Sequence, residues 1–537
     1  MSRAPLVDGP ASTDERYEQR VDDAISRRTV LTTGGAAAIV GAGIGAGGVS
    51  LLGSPGRGPG LWTQPAGSGA QPVGGLHLQF GKDASSEVVV SWHTTDTVGN
   101  PRVMVGTPTS GFGRLVPAET RTYRDAKSTT EVRVHHARID NLAPDADYVY
   151  AAVHDGTNPE LGTVRTAPSG RKPLRFTSFG DQATPTLDRL KKASYRSDNL
   201  GSPAAGDITT AIERIGPLFH LVNGDLCYAN LAHDRIRTWS DWFDNNTRSA
   251  RYRPWMPAAG NHENELGNGP IGFAAYQTYF TVPDSGSAAE FRGLWYSFTA
   301  GSVRVISLSN DDVCFQDAGN FYVHGYSGGA QKRWLESELA NARADTRVDW
   351  VIVCMHQTAI STSDHTNGAD LGIRQEWLPL FDRYQVDLVV CGHEHHYERS
   401  HPVRGMLDTE TRTPIPVETR PDVIDTSKGT VHLVIGGGGT SSPSNTMFFP
   451  QPRCRVLTGV GAFDPTIGCR APRYVLEGAP WSAFRDADNA YGFVAFDLDP
   501  GPPGGNTSIK ATHYAVNGPY GATSVVEQFT LTRPRRG

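Results

Sequence analysis

The sequence predicts two structured domains in series: a β-sandwich, then an α/β domain of two β-sheets flanked by helices. Three observations point to this. Short apolar or alternating runs of strand length recur every ten or so residues over 75–168. Beyond residue 171 similar runs alternate with helical periodicity. The chain of 537 residues is also too long for one ordinary core, and its 60 glycines and 36 prolines suit strands and loops better than a helical bundle.

Residues 1–70 stand apart as a signal region and linker. Residues 1–25 are polar, and 54–74 is rich in Gly, Pro and Ser. Between them Ser26-Arg27-Arg28-Thr29-Val30-Leu31 opens a stretch with no charge from Thr29 to Gly56. Two arginines before a weakly apolar run form the pattern of a twin-arginine export signal, read by the export machinery. The expected location is therefore secreted, periplasmic or associated with the cell envelope, with a weak cleavage position after Ala70. The rival reading leaves residues 29–53 uncut as a membrane anchor, but their glycine density makes a poor spanning helix. No cysteine precedes Cys227, which excludes a lipid-anchored cysteine near the cut.

In the sandwich, Leu76–Phe80, Glu87–His93, Thr130–Ile139 and Tyr148–His154 read as strands, with Asn141–Asp145 as a turn. In the second domain, 171–537, the strand-like runs are Leu174–Phe179, Leu218–Val222, Val303–Leu308, Trp350–Met355, Val386–Cys391 and Val431–Ile435. Gln331–Arg343 reads as a helix with Trp334, Leu335 and Leu339 on its apolar side. Residues 400–480 show few periodic segments and are expected to be long loops.

A net charge of −6 without long charge runs gives no counterion-release drive toward nucleic acid, so no nucleic-acid partner is expected. None of the six cysteines forms a CxxC pair, which argues against a structural zinc knuckle. Cys354 and Cys391 sit in apolar runs as expected buried thiols. A Cys454–Cys469 bridge is left open.

The chemistry gathers just past the strand-like runs. Gly180-Asp181 follows the first, Asn223-Gly224-Asp225-Leu226-Cys227-Tyr228 the second, and Gly260-Asn261-His262-Glu263 a Pro-rich approach. His356 closes Trp350–Met355, and Gly392-His393-Glu394-His395 closes Val386–Cys391. In open α/β sheets ligands sit in the crevice beyond the carboxyl ends of strands. Singly, each signal has an ordinary explanation: Gly-Asp as a turn, His356 as a core histidine, Asn261 as a helix cap. Together they offer two carboxylates, three imidazoles, an amide and a phenol. Carboxylate and phenolate oxygens suit a trivalent ion, and imidazole with an amide oxygen suits a divalent one.

These five blocks, in this order and spacing, resemble the purple acid phosphatases of the metallophosphoesterase superfamily. The resemblance covers roughly residues 75–400 and is most specific at Gly392-His393-Glu394-His395-His396-Tyr397-Glu398-Arg399-Ser400. It implies that the sandwich is fibronectin-like and that the second domain is a calcineurin-like metallophosphoesterase fold. It further implies a ferric ion held by Asp181, Tyr228 and His395, a divalent partner (Fe, Zn or Mn) held by Asn261, His356 and His393, and Asp225 bridging both. Tyr228 bound to ferric iron would give the family's colour. His262 matches a histidine beside the leaving group, and His365 is similar to one that contacts substrate. One block departs: Gly-Asp-x-Gly is here Gly180-Asp181-Gln182-Ala183, so a different local loop is expected. Cys227 beside Tyr228 could compete for iron, but as an intervening residue it is expected to point away.

The implied activity is acid phosphatase: small phosphate monoesters hydrolysed in a single in-line displacement by a metal-activated hydroxide, with His262 as acid. The alternatives are a phosphodiesterase or nucleotide hydrolase of the same superfamily, and a non-catalytic surface binding protein attached through its sandwich. Oligomeric state is not legible.

Overall fold

The computed structural model describes residues 71–184, 200–319, 321–466 and 468–536. The expected signal, linker and cleavage position through Ala70 lie outside these residues. Among the described residues no helix is long and apolar enough to cross a membrane.

Eight antiparallel strands form the N-terminal sandwich. One sheet orders Gly74–Phe80, Val88–Thr94, Glu131–Ile139 and Glu119–Arg124. The other orders Gly111–Pro117, Arg102–Thr107, Asp147–Val153 and Glu160–Arg165. Val90, Trp92, Val103 and Tyr150 fill the space between the sheets, all fully buried. The outward face of the first sheet is also covered, which is why Val88–Thr94 lacks clean alternation and is buried along its whole length. Its cover comes from the second domain. His77 stacks on Phe243 with ring centroids 4.6 Å apart, and its Nε2 lies 3.0 Å from the Tyr279 carbonyl. His136 Nε2 meets the Thr278 carbonyl at 3.0 Å. One continuous apolar cluster runs from Leu76 and Trp92 through Phe243 to the core of the second domain.

That second domain contains two seven-stranded mixed sheets. In the first, Leu174–Phe179, Phe219–Val222 and Trp255–Pro257 run parallel. Antiparallel strands Gly492–Asp499, Asn506–Gly518 and Ala522–Pro534 extend it. In the second, Val303–Ser307, Trp350–Cys354, Leu388–Cys391 and Val431–Ile435 run parallel. These strands are buried on both faces, so they read as continuous apolar runs. The helix expected at Gln331–Arg343 spans Ala330–Ala344, with Leu335 and Leu339 buried.

Two expectations are corrected. Residues 400–480 are not mainly loops: Val403–Met406, Pro414–Pro416 and Val423–Asp425 are short strands, and Arg453–Asp464 pairs with Cys469–Gly478 as a long hairpin. Much of that hairpin is exposed on both faces, so it has no apolar alternation to betray it. Nor do Cys454 and Cys469 form a bridge. Cys454 pairs with Glu477 at one end of the hairpin, while Cys469 pairs with Asp464 at the other. At about 3.3 Å per residue they stand roughly 30 Å apart, far beyond disulfide reach. Cys354 and Cys391 are buried thiols.

Candidate metal centre

The parallel strands of both sheets end at one crevice. Asp181 follows Leu174–Phe179, and Asp225 and Tyr228 follow Phe219–Val222. Asn261 and His262 form a single 3₁₀ turn after Trp255–Pro257. His356 follows Trp350–Cys354, and His393 and His395 follow Leu388–Cys391. Asp181, Asp225, Tyr228 and His393 all have positive φ, between 51° and 71°. A left-handed backbone costs a non-glycine residue about 1–2 kcal/mol, so four such residues at one crevice hold a strained, over-determined arrangement.

The glycines beside these residues are required by close approach. A Cβ on Gly260 would sit 2.3 Å from Asp225 Oδ1, and one on Gly392 would sit 2.3 Å from Asp181 Oδ2. Ala183, where the first block departs from its relatives, keeps a left-handed φ of 50°. The turn is therefore made with alanine in place of glycine.

Two groups of ligand atoms result. In one, Tyr228 Oη lies 3.3 Å from Asp181 Oδ1 and 3.1 Å from His395 Nε2, and that Nε2 lies 3.4 Å from Asp181 Oδ1. In the other, ligand atoms of Asp225, His356 and His393 lie within 4.8 Å of one another. His356 Nε2 is 3.0 Å from Asp225 Oδ2, and His393 Nδ1 is 3.2 Å from His356 Nε2. Asn261 Oδ1 is buried without a hydrogen-bond partner.

Each imidazole is oriented through its other nitrogen. His356 Nδ1 donates to the Asn223 carbonyl at 2.7 Å, and His395 Nδ1 to the Ser442 carbonyl at 2.7 Å. His393 Nε2 meets Gln316 Oε1 at 2.6 Å. These acceptors leave Nε2 of His356, Nε2 of His395 and Nδ1 of His393 as the nitrogens that face the crevice, where a metal ion would take the place of a proton.

Charge in the crevice favours a cation. Burial opposes protonation of His356, yet the Asp225 and Asp181 carboxylates outweigh it and hold its pKa up to about 10. Burial likewise opposes the charge on Asp225, but the imidazoles of His356 and His262 keep its carboxyl well below the usual range. Burial, with Asp181 and Asp225 beside it, pushes the Tyr228 phenol well above its ordinary value. A phenolate there therefore needs positive charge at hand. The facing imidazole nitrogens, the orphaned amide oxygen and the two carboxylates fit metal ions of the hard and borderline class.

His262 stands at the mouth, 22% exposed, with Nε2 3.9 Å from Asp225 Oδ2 and Nδ1 3.0 Å from Asn230 Oδ1. His365 is not brought into the cluster. It is 77% exposed, and Asp364 at 3.4 Å is its ion-pair partner. Cys227 is buried, and burial followed by the Glu263 carboxylate raises its thiol well above the ordinary value, so it offers no thiolate.

The motifs alone did not reveal the supporting residues. Glu263 accepts from the backbone N–H groups of Asp225, Leu226 and Gly260 at 2.8 Å each, tying two ligand loops together. Asn310 Oδ1 accepts from the His356 N–H at 2.7 Å. Gln316 and Asn230 occupy irregular segments with no period to mark them. Only Glu263 had a signal, lying inside the Gly260–Glu263 block.

Comparison with known proteins gives the family of both domains. Residues 73–167 match the purple acid phosphatase N-terminal domain, and residues 201–397 match the calcineurin-like phosphoesterase family. The chain is 77% identical over 513 residues to an uncharacterized protein of Mycobacterium tuberculosis, covering 96% of this chain and 97% of that one. It is 28% identical over 389 residues to a purple acid phosphatase of Glycine max, covering 70% and 75% of the two chains. A solved purple acid phosphatase from yellow lupin seeds shares the fold, with a TM-score of 0.63 at 20% identity over 87% of this chain and 75% of that one.

Proposed function

Because the chain belongs to the purple acid phosphatase-like metallophosphoesterases, we propose that it hydrolyses phosphate monoesters at a binuclear metal centre, as an acid phosphatase. The observation that supports this most is the pair of ligand groups meeting at one set of strand ends, with Asn261 Oδ1 left buried and unpartnered. Asp181, Tyr228 and His395 would hold one ion, Asn261, His356 and His393 the other, and Asp225 both. A relative in Arabidopsis thaliana, 28% identical, is a Fe(3+)-Zn(2+) purple acid phosphatase. Ferric iron with a divalent partner (Fe, Zn or Mn) is the corresponding proposal here.

When bound, such ions supply Lewis acidity to a phosphoryl oxygen and to an attacking water. The chain's own residues do the rest. The strand-end loops keep Asp181, Asp225, His356 and His393 buried, with His262 and His395 partly open to solvent. His262 Nε2 faces the crevice, and a proton carried there passes to the departing oxygen. Asn230 holds the opposite nitrogen, so Nε2 is the one presented.

Export by the twin-arginine route, from Arg27-Arg28, belongs to the same proposal and rests on sequence alone. The decisive experiment compares hydrolysis of a nitrophenyl monoester with the bis-ester on protein whose metals and visible spectrum have been measured. Monoester turnover in excess, two metals per chain and a visible band lost in Tyr228→Phe are expected. Diester preference would redirect the assignment to a phosphodiesterase, and a metal-free inert protein would overturn it.

A further inference from the structure

A second, unrelated cleft opens where the sandwich strands Glu119–Arg124 and Glu131–Ile139 meet residues 280–293 of the second domain. Its volume is about 190 Å³. That is room for about six waters at liquid density, below the size of an ordinary organic-ligand pocket.

Three guanidinium groups line it, from Arg121, Arg138 and Arg292. Glu119 pairs with His136 across the sheet and Arg121 with Val134, so the two-residue period puts Glu119, Arg121 and Arg138 on one face. This is the face whose His136 reaches Thr278 of the second domain. Two carboxylates also line the cleft, and both are engaged. Glu119 Oε1 accepts from Arg121 Nε at 3.2 Å, and Asp284 Oδ1 accepts from the Gly286 N–H at 2.9 Å. Among the described residues the guanidinium groups of Arg138 and Arg292 have no hydrogen-bonded acceptor. Burial, then the positive charge of Arg121, holds the Arg138 pKa below its ordinary value. Thr281 completes the wall: it is 2% exposed, and its Oγ1 is buried without a partner.

Three guanidinium groups, those of Arg138 and Arg292 open to solvent, face the Glu119 and Asp284 carboxylates and an orphaned hydroxyl around this small space. That leaves one positive charge in excess and room for an anion with several acceptor oxygens. We propose that this cleft binds a small tetrahedral oxyanion of the phosphate class, at a site separate from the strand-end cluster. Guanidinium forks from both domains would share its oxygens, so the ion would bridge the domain contact. The proposal does not depend on the reaction at the metal centre.

Equilibrium dialysis of inorganic phosphate against the full chain, metals in place, tests it. The expected result is one more phosphate bound per chain in the wild type than in an Arg138→Gln/Arg292→Gln double variant. Thr281→Val should weaken that site several-fold, and nitrophenyl phosphate turnover should be unchanged in all variants. A non-hydrolysable alkyl phosphonate that displaces this phosphate would extend the ligand to phosphoryl groups on larger molecules. Failure to displace it would restrict the site to the free ion. Equal stoichiometry and affinity in the wild type and the double variant, with unchanged melting temperatures, would overturn the proposal. Hydrolysis is read separately, so loss of either result leaves the other interpretable.

Discussion

Asn230 Oδ1 lies 3.0 Å from Nδ1 of His262, and this contact decides which ring nitrogen faces the crevice. The ring is also packed on Tyr228, with centroids 4.4 Å apart. His262→Ala should therefore lower turnover on alkyl phosphates by about 10²-fold or more, and on nitrophenyl phosphate much less, because nitrophenolate leaves without a proton. Asn230→Ala should repeat that pattern at about 10-fold, since the imidazole remains but its orientation is lost. Steady-state rates across a series of leaving groups check both. A uniform loss across the series would count against the acid role.

On the proposed reading of the site, the Gln316 side chain should tune only one of two ion positions. Its Oε1 meets His393 Nε2 at 2.6 Å, and its Nε2 donates to Asn367 Oδ1 at 3.1 Å, while Asn367 Nδ2 donates to the His393 carbonyl. Removing such a partner from a metal-binding histidine typically weakens the metal by about 10- to 100-fold. Gln316→Ala is expected to lose the divalent ion to mild chelation while keeping the visible band that depends on Tyr228. Metal quantification after dialysis checks it, and parallel loss of both ions would contradict it.

Much of this crevice was legible because of how parallel strands are buried. Trp350–Cys354 and Leu388–Cys391 are covered on both faces, so they read as plain apolar runs, and the polar residue that ends each run is conspicuous. Gln316 and Asn230 were not legible, because they reach the site from irregular segments whose spacing has no period. The hairpin Arg453–Asp464/Cys469–Gly478 was missed for the opposite reason: with much of both faces in solvent, its sequence has no pattern to enforce. His365, expected as a substrate contact and not as a ligand, stands 77% exposed beside Asp364.

Ala183 offers a stability test at the one block that departs from its relatives. Its φ of 50° is left-handed, which costs an alanine about 1–2 kcal/mol. Glycine adopts that geometry freely but loses more backbone entropy on folding, about 0.5–1 kcal/mol. The difference predicts that Ala183→Gly stabilises the fold by about 0.5 kcal/mol. Denaturant midpoints on metal-loaded protein check this, and a destabilised Ala183→Gly would show that the methyl group, buried here, is needed for packing.

The contact between sandwich and second domain should be the acid-sensitive part of the molecule. His77 is buried against Phe243 and the Tyr279 carbonyl, and burial lowers its pKa from 6.5 to about 4. Burial lowers His93 on the same face to about 3, with the neighbouring His77 and His135 adding to the effect. His136, against the Thr278 carbonyl, is also held well below 6.5 by burial, then by Arg121. Above pH 6.5 these rings are neutral in both folded and unfolded chains, and their contribution does not change with pH. Below it the unfolded chain takes up protons that the folded chain refuses, so stability falls as pH drops from 6.5 toward 4. For His77 alone the loss is on the order of 3 kcal/mol at the bottom of that window. Its replacement by phenylalanine should flatten the decline, because the ring stays packed and no longer titrates. Unfolding midpoints at pH 7, 5.5 and 4.5 for wild type and His77→Phe check this, and equal slopes in the two proteins would remove His77 as a cause.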